Sequence, residues 1–180
     1  MQEYPGRKAF AVDSLAASAG QGLFVYLVAQ KRDEGVTIEE LVAYAEQIRP
    51  HIAHWFTVDD LVYLKRGGRV SAATAVIGGM LNIKPVLHVD DEGHLISMSK
   101  VRGRKTSIKA LADKYATTCV DKTMPVFISN GDCIEDAEEL AKQIVAAGGP
   151  YPQIITTIGS VIGAHSGPGT LALFFYADKK

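Results

Sequence analysis

Lys65-Arg66-Gly67-Gly68-Arg69 places three cations around two glycines. A guanidinium is a planar fork of donors that matches carboxylate or phosphate oxygens, and glycine lets such an anion approach the backbone. The same spacing also fits the charged C-terminus of a helix. No G-x-x-x-x-G-K-[ST] run is present, so a nucleotide-cradling loop of that kind is not expected. A second constellation surrounds His165, in Gly163-Ala164-His165-Ser166-Gly167-Pro168-Gly169-Thr170. Its imidazole can hydrogen-bond an anionic head group, directly or through water. The flanking glycines allow close approach and positive φ. Ser166 as a nucleophile is a sharper reading, but the run does not place glycines at the offsets that a nucleophile elbow requires. The alternative is a histidine satisfied by its own surroundings.

Metal and thiol chemistry have weaker support. His51 and His54 are three apart on an expected strand, which puts them on opposite faces. His88 and His94 flank a turn without a carboxylate or thiol set at ligand spacing. The two cysteines, Cys119 and Cys133, cannot form a disulfide scaffold or, alone, a zinc site. Small or apolar neighbours predict buried, reduced thiols. No metal and no cofactor is expected. Asp13-Ser14 pairs a carboxylate with a hydroxyl; helix capping accounts for Ser14, and a pocket role is the second reading.

The elements that must carry these groups follow from periodicity. Residues 8–12 read as a short strand and 15–30 as a buried helix, weakened by Gly20 and Gly22. Thr37-Ile38-Glu39-Glu40 has capping-box spacing, and Ile38, Leu41, Val42, Ala45 and Ile48 follow on one helical face before Pro50. Residues 51–58 are a strand by β-branched and aromatic content. Asp59 is expected to cap a short helix that ends in the basic Gly67-Gly68 segment. A small-residue helix over 71–81 follows. Next come strands over 83–89 and 94–101, joined by the polar turn Asp90-Asp91-Glu92-Gly93. Helices over 106–116 and 137–145 alternate with strands over 125–129, 154–158 and 171–176. Residues 159–170 read as a loop. The hairpin points to a mixed sheet with packed helices, an α/β chain of α+β character.

Of the 180 residues, 47% are hydrophobic and 22% charged, values that exclude a disordered tail, a collagen-like fibre and a coiled-coil rod. Lysine plus arginine is 19 and aspartate plus glutamate 20, a net charge of −1 that argues against nucleic-acid binding. The first eight residues contain no apolar signal-peptide core, and no apolar run is long enough to span a bilayer. Residues 143–177 lack Asp, Glu, Lys and Arg but are broken repeatedly by Gly and Pro. They read as protein interior or pocket lining rather than a membrane span. A cytoplasmic protein without stable membrane insertion is expected. A soft boundary near Val58 divides the chain into 1–58 and 59–180.

Several runs resemble the DegV family. They are Phe56-Thr57-Val58-Asp59-Asp60-Leu61-Val62-Tyr63-Leu64 continuing through Arg69-Val70, Leu81-Asn82-Ile83-Lys84-Pro85-Val86-Leu87, and Val101-Arg102-Gly103-Arg104-Lys105. The ending from Ile162 through His165-Ser166-Gly167-Pro168-Gly169-Thr170 to Tyr176 is similar to that family's C-terminal signature. Asp13-Ser14 with Gly20-Gln21-Gly22 also matches.

The resemblance implies a C-terminal DegV-type domain over 59–180, with helices on a mixed sheet. Residues 1–58 would be the tail of a longer, parallel α/β N-terminal domain. It implies a non-catalytic lipid-binding protein that holds one long-chain fatty acid between its domains. The carboxylate is presented to a partner fatty-acid kinase, which forms an acyl phosphate for phospholipid synthesis. By motif position His165 lies near the carboxylate, with Ser166 beside it. Arg66 and Arg69 lie near the pocket mouth and kinase-docking face, without an assignment between the two. The rival reading is a small phosphotransferase or hydrolase using Arg66, Arg69 and His165.

Overall fold

Thr37 opens its helix as the spacing predicts. Its hydroxyl accepts the Glu40 N–H at 3.3 Å, and the Glu40 carboxylate accepts the Thr37 N–H at 2.8 Å. The computed structural model describes residues 5–70 and 82–180; the helix expected over 71–81 lies outside them. The described elements are α1 (Ser18–Asp33), α2 (Ile38–Ile48), β1 (Ile52–Thr57), α3 (Leu61–Arg66), β2 (Ile83–Val89), β3 (Leu95–Arg102), α4 (Arg104–Thr118), β4 (Phe127–Asn130), α5 (Ile134–Ala146), β5 (Ile154–Thr157), α6 (Ser160–Ser166) and β6 (Leu171–Tyr176).

The strands form one mixed sheet in the order β3-β2-β1-β6-β4-β5. The β4–β5 pair is parallel and the other pairs are antiparallel. The α/β reading with α+β character therefore holds. The sheet runs across position 58, because β1 hydrogen-bonds to both β2 and β6.

Every residue of β1 is buried, since both sheet faces are covered. Ala53 and Trp55 pack with Leu171, Leu173 and Phe175 under Leu111, Tyr115, Leu140 and Ile144 of α4 and α5. Ile52 and Phe56 pack with Phe127, Ala172 and Phe174 under Leu23 and Leu27 of α1, Ala45 and Ile48 of α2, and Leu61 and Leu64 of α3. Alternation along each strand sends successive side chains to opposite layers.

Several local expectations change. Residues 8–11 are exposed, Val12 is half-buried, and none of the five pairs with a strand of the described residues. A short apolar run gains nothing from an extended conformation without a ladder partner. The first helix starts at Ser18 rather than near Leu15, because Leu15 takes a φ of 48°, outside the right-handed helical region. Asp60, not Asp59, caps α3, accepting the Val62 N–H at 2.8 Å. The stretch 159–170 contains α6 instead of being loop throughout. The chargeless 143–177 segment is only partly interior. β6 is buried, but Tyr151 and Val161 are 56% and 72% exposed. Both cysteines are free and half-buried.

Candidate functional site

The basic run after α3 ends the helix in a Schellman arrangement. Gly68 takes φ +70°. Its N–H bonds to Lys65 O at 3.0 Å, and the Arg69 N–H bonds to Leu64 O at 2.8 Å. This tight reversal aims Arg69 back across the helix end, where its guanidinium donates to Gly67 O at 2.6 Å. Arg66 stays exposed on the last turn of α3.

α6 is fastened against that reversal. A Cβ on Gly67 would stand 2.2 Å from His165 Nδ1, so the imidazole occupies space that only glycine leaves open. Gly167, at φ +79°, lies on the Tyr63 ring, where a Cβ would approach to 2.5 Å. Asp59 packs against Gly169 and pairs with Lys84 Nζ at 2.7 Å and Arg104 at 3.6 Å. Arg104 also meets Asp136 at 2.8 Å. Asp59, Lys84 and Arg104 thus brace the loop from behind, which explains the charged positions in the two central motifs.

Arg69, His165 and Ser166 line a common cavity of about 280 Å³. Ser166 is buried, and its hydroxyl donates to Ile162 O at 2.9 Å, one turn back in α6. That bond leaves the oxygen free to accept but takes its proton away from attack chemistry. Thr170 also lines the cavity, with its hydroxyl bonded to Gly167 O at 2.7 Å. Arg66 is not among the described lining residues, so Arg66, Arg69 and His165 are not gathered at one point.

The remaining wall is mostly apolar: Phe56, Leu64, Val89, Leu95, Ile158, Val161, Ile162, Ala172 and Phe174. No carboxylate occurs among the described lining residues, while Arg69 does, so the local field favours an anion. The wall suits a slender hydrocarbon, and the volume is close to the lower end of ordinary ligand pockets, roughly 300–1,000 Å³.

Three polar lining residues escaped the sequence reading. Ser18 and Ser129 bring their hydroxyls within 3.1 Å of each other. His54 is 4% exposed, and its Nδ1–H donates to Ile52 O at 2.7 Å. Its Nε2 has no hydrogen-bond partner. Burial pushes its pKa down to about 4, so the ring is neutral. The available signal was a lone histidine within the apolar run Ile52-Ala53-His54-Trp55-Phe56. His51, by contrast, lies outside β1 and bonds to Ala177 O at 2.9 Å. Among the described residues, no helix is long and apolar enough to cross a membrane.

A family model described as an uncharacterised protein of the DegV family matches residues 1–178. A DegV domain-containing protein of Clostridium perfringens is 43% identical over 181 residues, covering 100% of this chain and 62% of its own length. A solved structure described as fatty acid binding of a DegV family protein from Thermus thermophilus has a TM-score of 0.81 at 32% identity, covering 98% of this chain and 63% of that one. The Streptococcus pneumoniae Fatty Acid Kinase (Fak) B3 protein, loaded with linoleic acid, shares the fold with a TM-score of 0.86 at 22% identity, over 98% of this chain and 63% of its own. The chain spans about three fifths of the length of these relatives. With the runs at 56–70 and 162–176 meeting at one braced cavity and the family match covering residues 1–178, the chain belongs to the DegV family.

Proposed function

We propose that this chain is part of a non-catalytic protein that binds a long-chain fatty acid, with the acyl chain in the apolar cavity and the carboxylate beside Arg69, His165 and Ser166. The observation that carries this reading is the cavity's composition: a hydrocarbon wall, no carboxylate among the described lining residues, and a cation with a histidine at the braced loop. Each methylene removed from water contributes about 0.8 kcal/mol, so the chain supplies affinity and the polar groups supply orientation. The 32%-identical Thermus thermophilus relative, described by its fatty acid binding, supports the ligand class.

The second part of the proposal is presentation of the carboxylate to a partner fatty-acid kinase. It rests on the motif resemblance and on the exposed Lys65 and Arg66 next to the cavity-lining Arg69. The test is organic extraction of the purified protein followed by mass spectrometry, with titration of palmitate and oleate into the delipidated protein. Co-purified fatty acid or saturable binding is expected. Lipid-free preparations that bind neither acid would overturn the reading.

A further inference from the structure

The cavity's lining ends at one row of the sheet. On and just before β6 it takes Thr170, Ala172 and Phe174, and on β1 it takes Phe56 and His54. The next residues on the same face, Tyr176 and Ile52, are not among the described lining residues. Phe174 pairs with His54 and Tyr176 with Ile52, so both strands leave the wall together. The other end adjoins α6, where the Thr170 hydroxyl donates to Gly167 O at 2.7 Å. From Thr170 to Phe174 is four residues, roughly 14 Å along the strand direction.

His54 and Phe174 form a partition across that row. Their rings stand edge-on to each other at a centroid distance of 5.3 Å. The bond from His54 Nδ1–H to Ile52 O, at 2.7 Å, anchors the imidazole to its own strand. Both rings rise from the sheet to touch α1 at Gly20, where a Cβ would stand 2.3 Å from the imidazole and 2.7 Å from the phenyl ring. They therefore fill the layer from strand to helix. The space beyond is occupied, because Ile52 is fully buried in one cluster with Leu27, Ala45 and Ile48. Such packing yields little to an intruding group.

We infer that the His54–Phe174 pair is a chain-length stop, against which the terminal methyl of the acyl chain abuts. The inference rests on the acyl-chain reading of the cavity, with the carboxylate beside Arg69 and His165, and specifies the length of chain within it. A methylene beyond the stop gains no burial, so a longer acid must buckle or leave hydrocarbon in water.

The test titrates the 180-residue protein with straight-chain saturated acids from decanoic to eicosanoic. Affinity is expected to rise about two- to fourfold with each added methylene up to one length, and then to level off or fall. In Phe174→Leu, which shortens the side chain at the stop, that break should move by about one or two carbons towards longer acids. The first acid beyond the parent's break should gain about fourfold relative to the acid at the break. In unmutated protein, an acid of the break length carrying ¹³C at its terminal methyl should show nuclear Overhauser contacts to the ring protons of Phe174 and His54. This readout does not depend on any variant folding. Val89 and Leu95, paired across the β2–β3 hairpin, also line the cavity and mark a different route for the chain. Affinity that climbs without a break, a break unmoved in folded Phe174→Leu, or a terminal methyl in contact with Val89 and Leu95 instead of the two rings would each overturn the inference while leaving fatty-acid binding intact. Failure of every acid to bind would overturn the acyl-chain reading and this inference together.

Discussion

His165 and His54 occupy one cavity in opposite circumstances. His165 leans on Gly67 beside Arg69, at the end proposed for the carboxylate. A hydrogen bond to a charged group contributes about 1.5–3 kcal/mol, so His165→Ala should weaken fatty-acid binding roughly ten- to hundredfold. Calorimetric titration measures it, after thermal melting shows that the variant retains its fold. Unchanged affinity would make His165 a packing group only. His54 is neutral, with a folded pKa near 4 against an ordinary value of 6.5. Between those values the unfolded chain binds more protons, so stability rises with pH across the window and is lost on acidification from 6.5 towards 4. The linkage is on the order of 3 kcal/mol for this single buried group. Burial also lowers the His88 pKa, which adds a slope of the same sign. Urea unfolding at pH 7 and pH 4 should therefore show a smaller stability loss in His54→Phe than in the parent. Equal losses would show that other groups dominate the acid limb.

α1 and α2 illustrate two kinds of helix specification. The start of α2 is local: Thr37 and Glu40 satisfy each other's backbone donors, and that spacing is legible in four residues. Thr37→Ala should cost about 1 kcal/mol and lower Tm by roughly 2–4 °C. No change in Tm would mean that the cap is replaced by solvent at no cost. α1 is different, because Gly20 weakens the helix on propensity but is required by tertiary packing. Its missing Cβ leaves room for the His54 ring and Phe174. Gly20→Ala gains helix propensity yet should destabilise by about 1–3 kcal/mol through overpacking. Equilibrium denaturation decides the sign; a stabilised variant would show that the ring moves aside freely. Residues 8–12 show the limit of local reading. Their apolar content suits a strand, but a strand exists only where a neighbour offers its backbone groups.

Across the molecule, the two arginines of one motif separate by position. Both are exposed, but Arg69 lines the cavity, whereas Arg66, on α3, is not among the described lining residues. Arg69→Glu should weaken fatty-acid binding by tenfold or more, since it sets like charges together at the proposed carboxylate end. Arg66→Glu should leave that affinity within about twofold and reduce acyl-phosphate formation with the partner kinase, because exposed interface charges act chiefly on encounter and register. A coupled kinase assay beside a binding titration separates the two. Equal effects of both reversals on affinity would remove the distinction.

Periodicity, capping spacing and turn composition were enough to locate α2, the β2–β3 hairpin, α4, α5 and β6, because each is written in contiguous residues. Motif resemblance singled out His165, Ser166, Arg66 and Arg69 and the family to which they belong. Their arrangement was not legible in the same way. That Arg69 and His165 share a cavity depends on Gly67, Gly167 and Gly169 admitting groups from another element. Asp59 braces that loop through Lys84 and Arg104, which are 25 and 45 positions away in the chain. His54 joins the wall only because β1 lies between β2 and β6, with its even-numbered residues facing α1. Local spacing encodes elements because hydrogen bonds within a helix or hairpin join near neighbours. A cavity is formed by packing between segments far apart in the chain, so its contents became visible only when the sheet order and register were known.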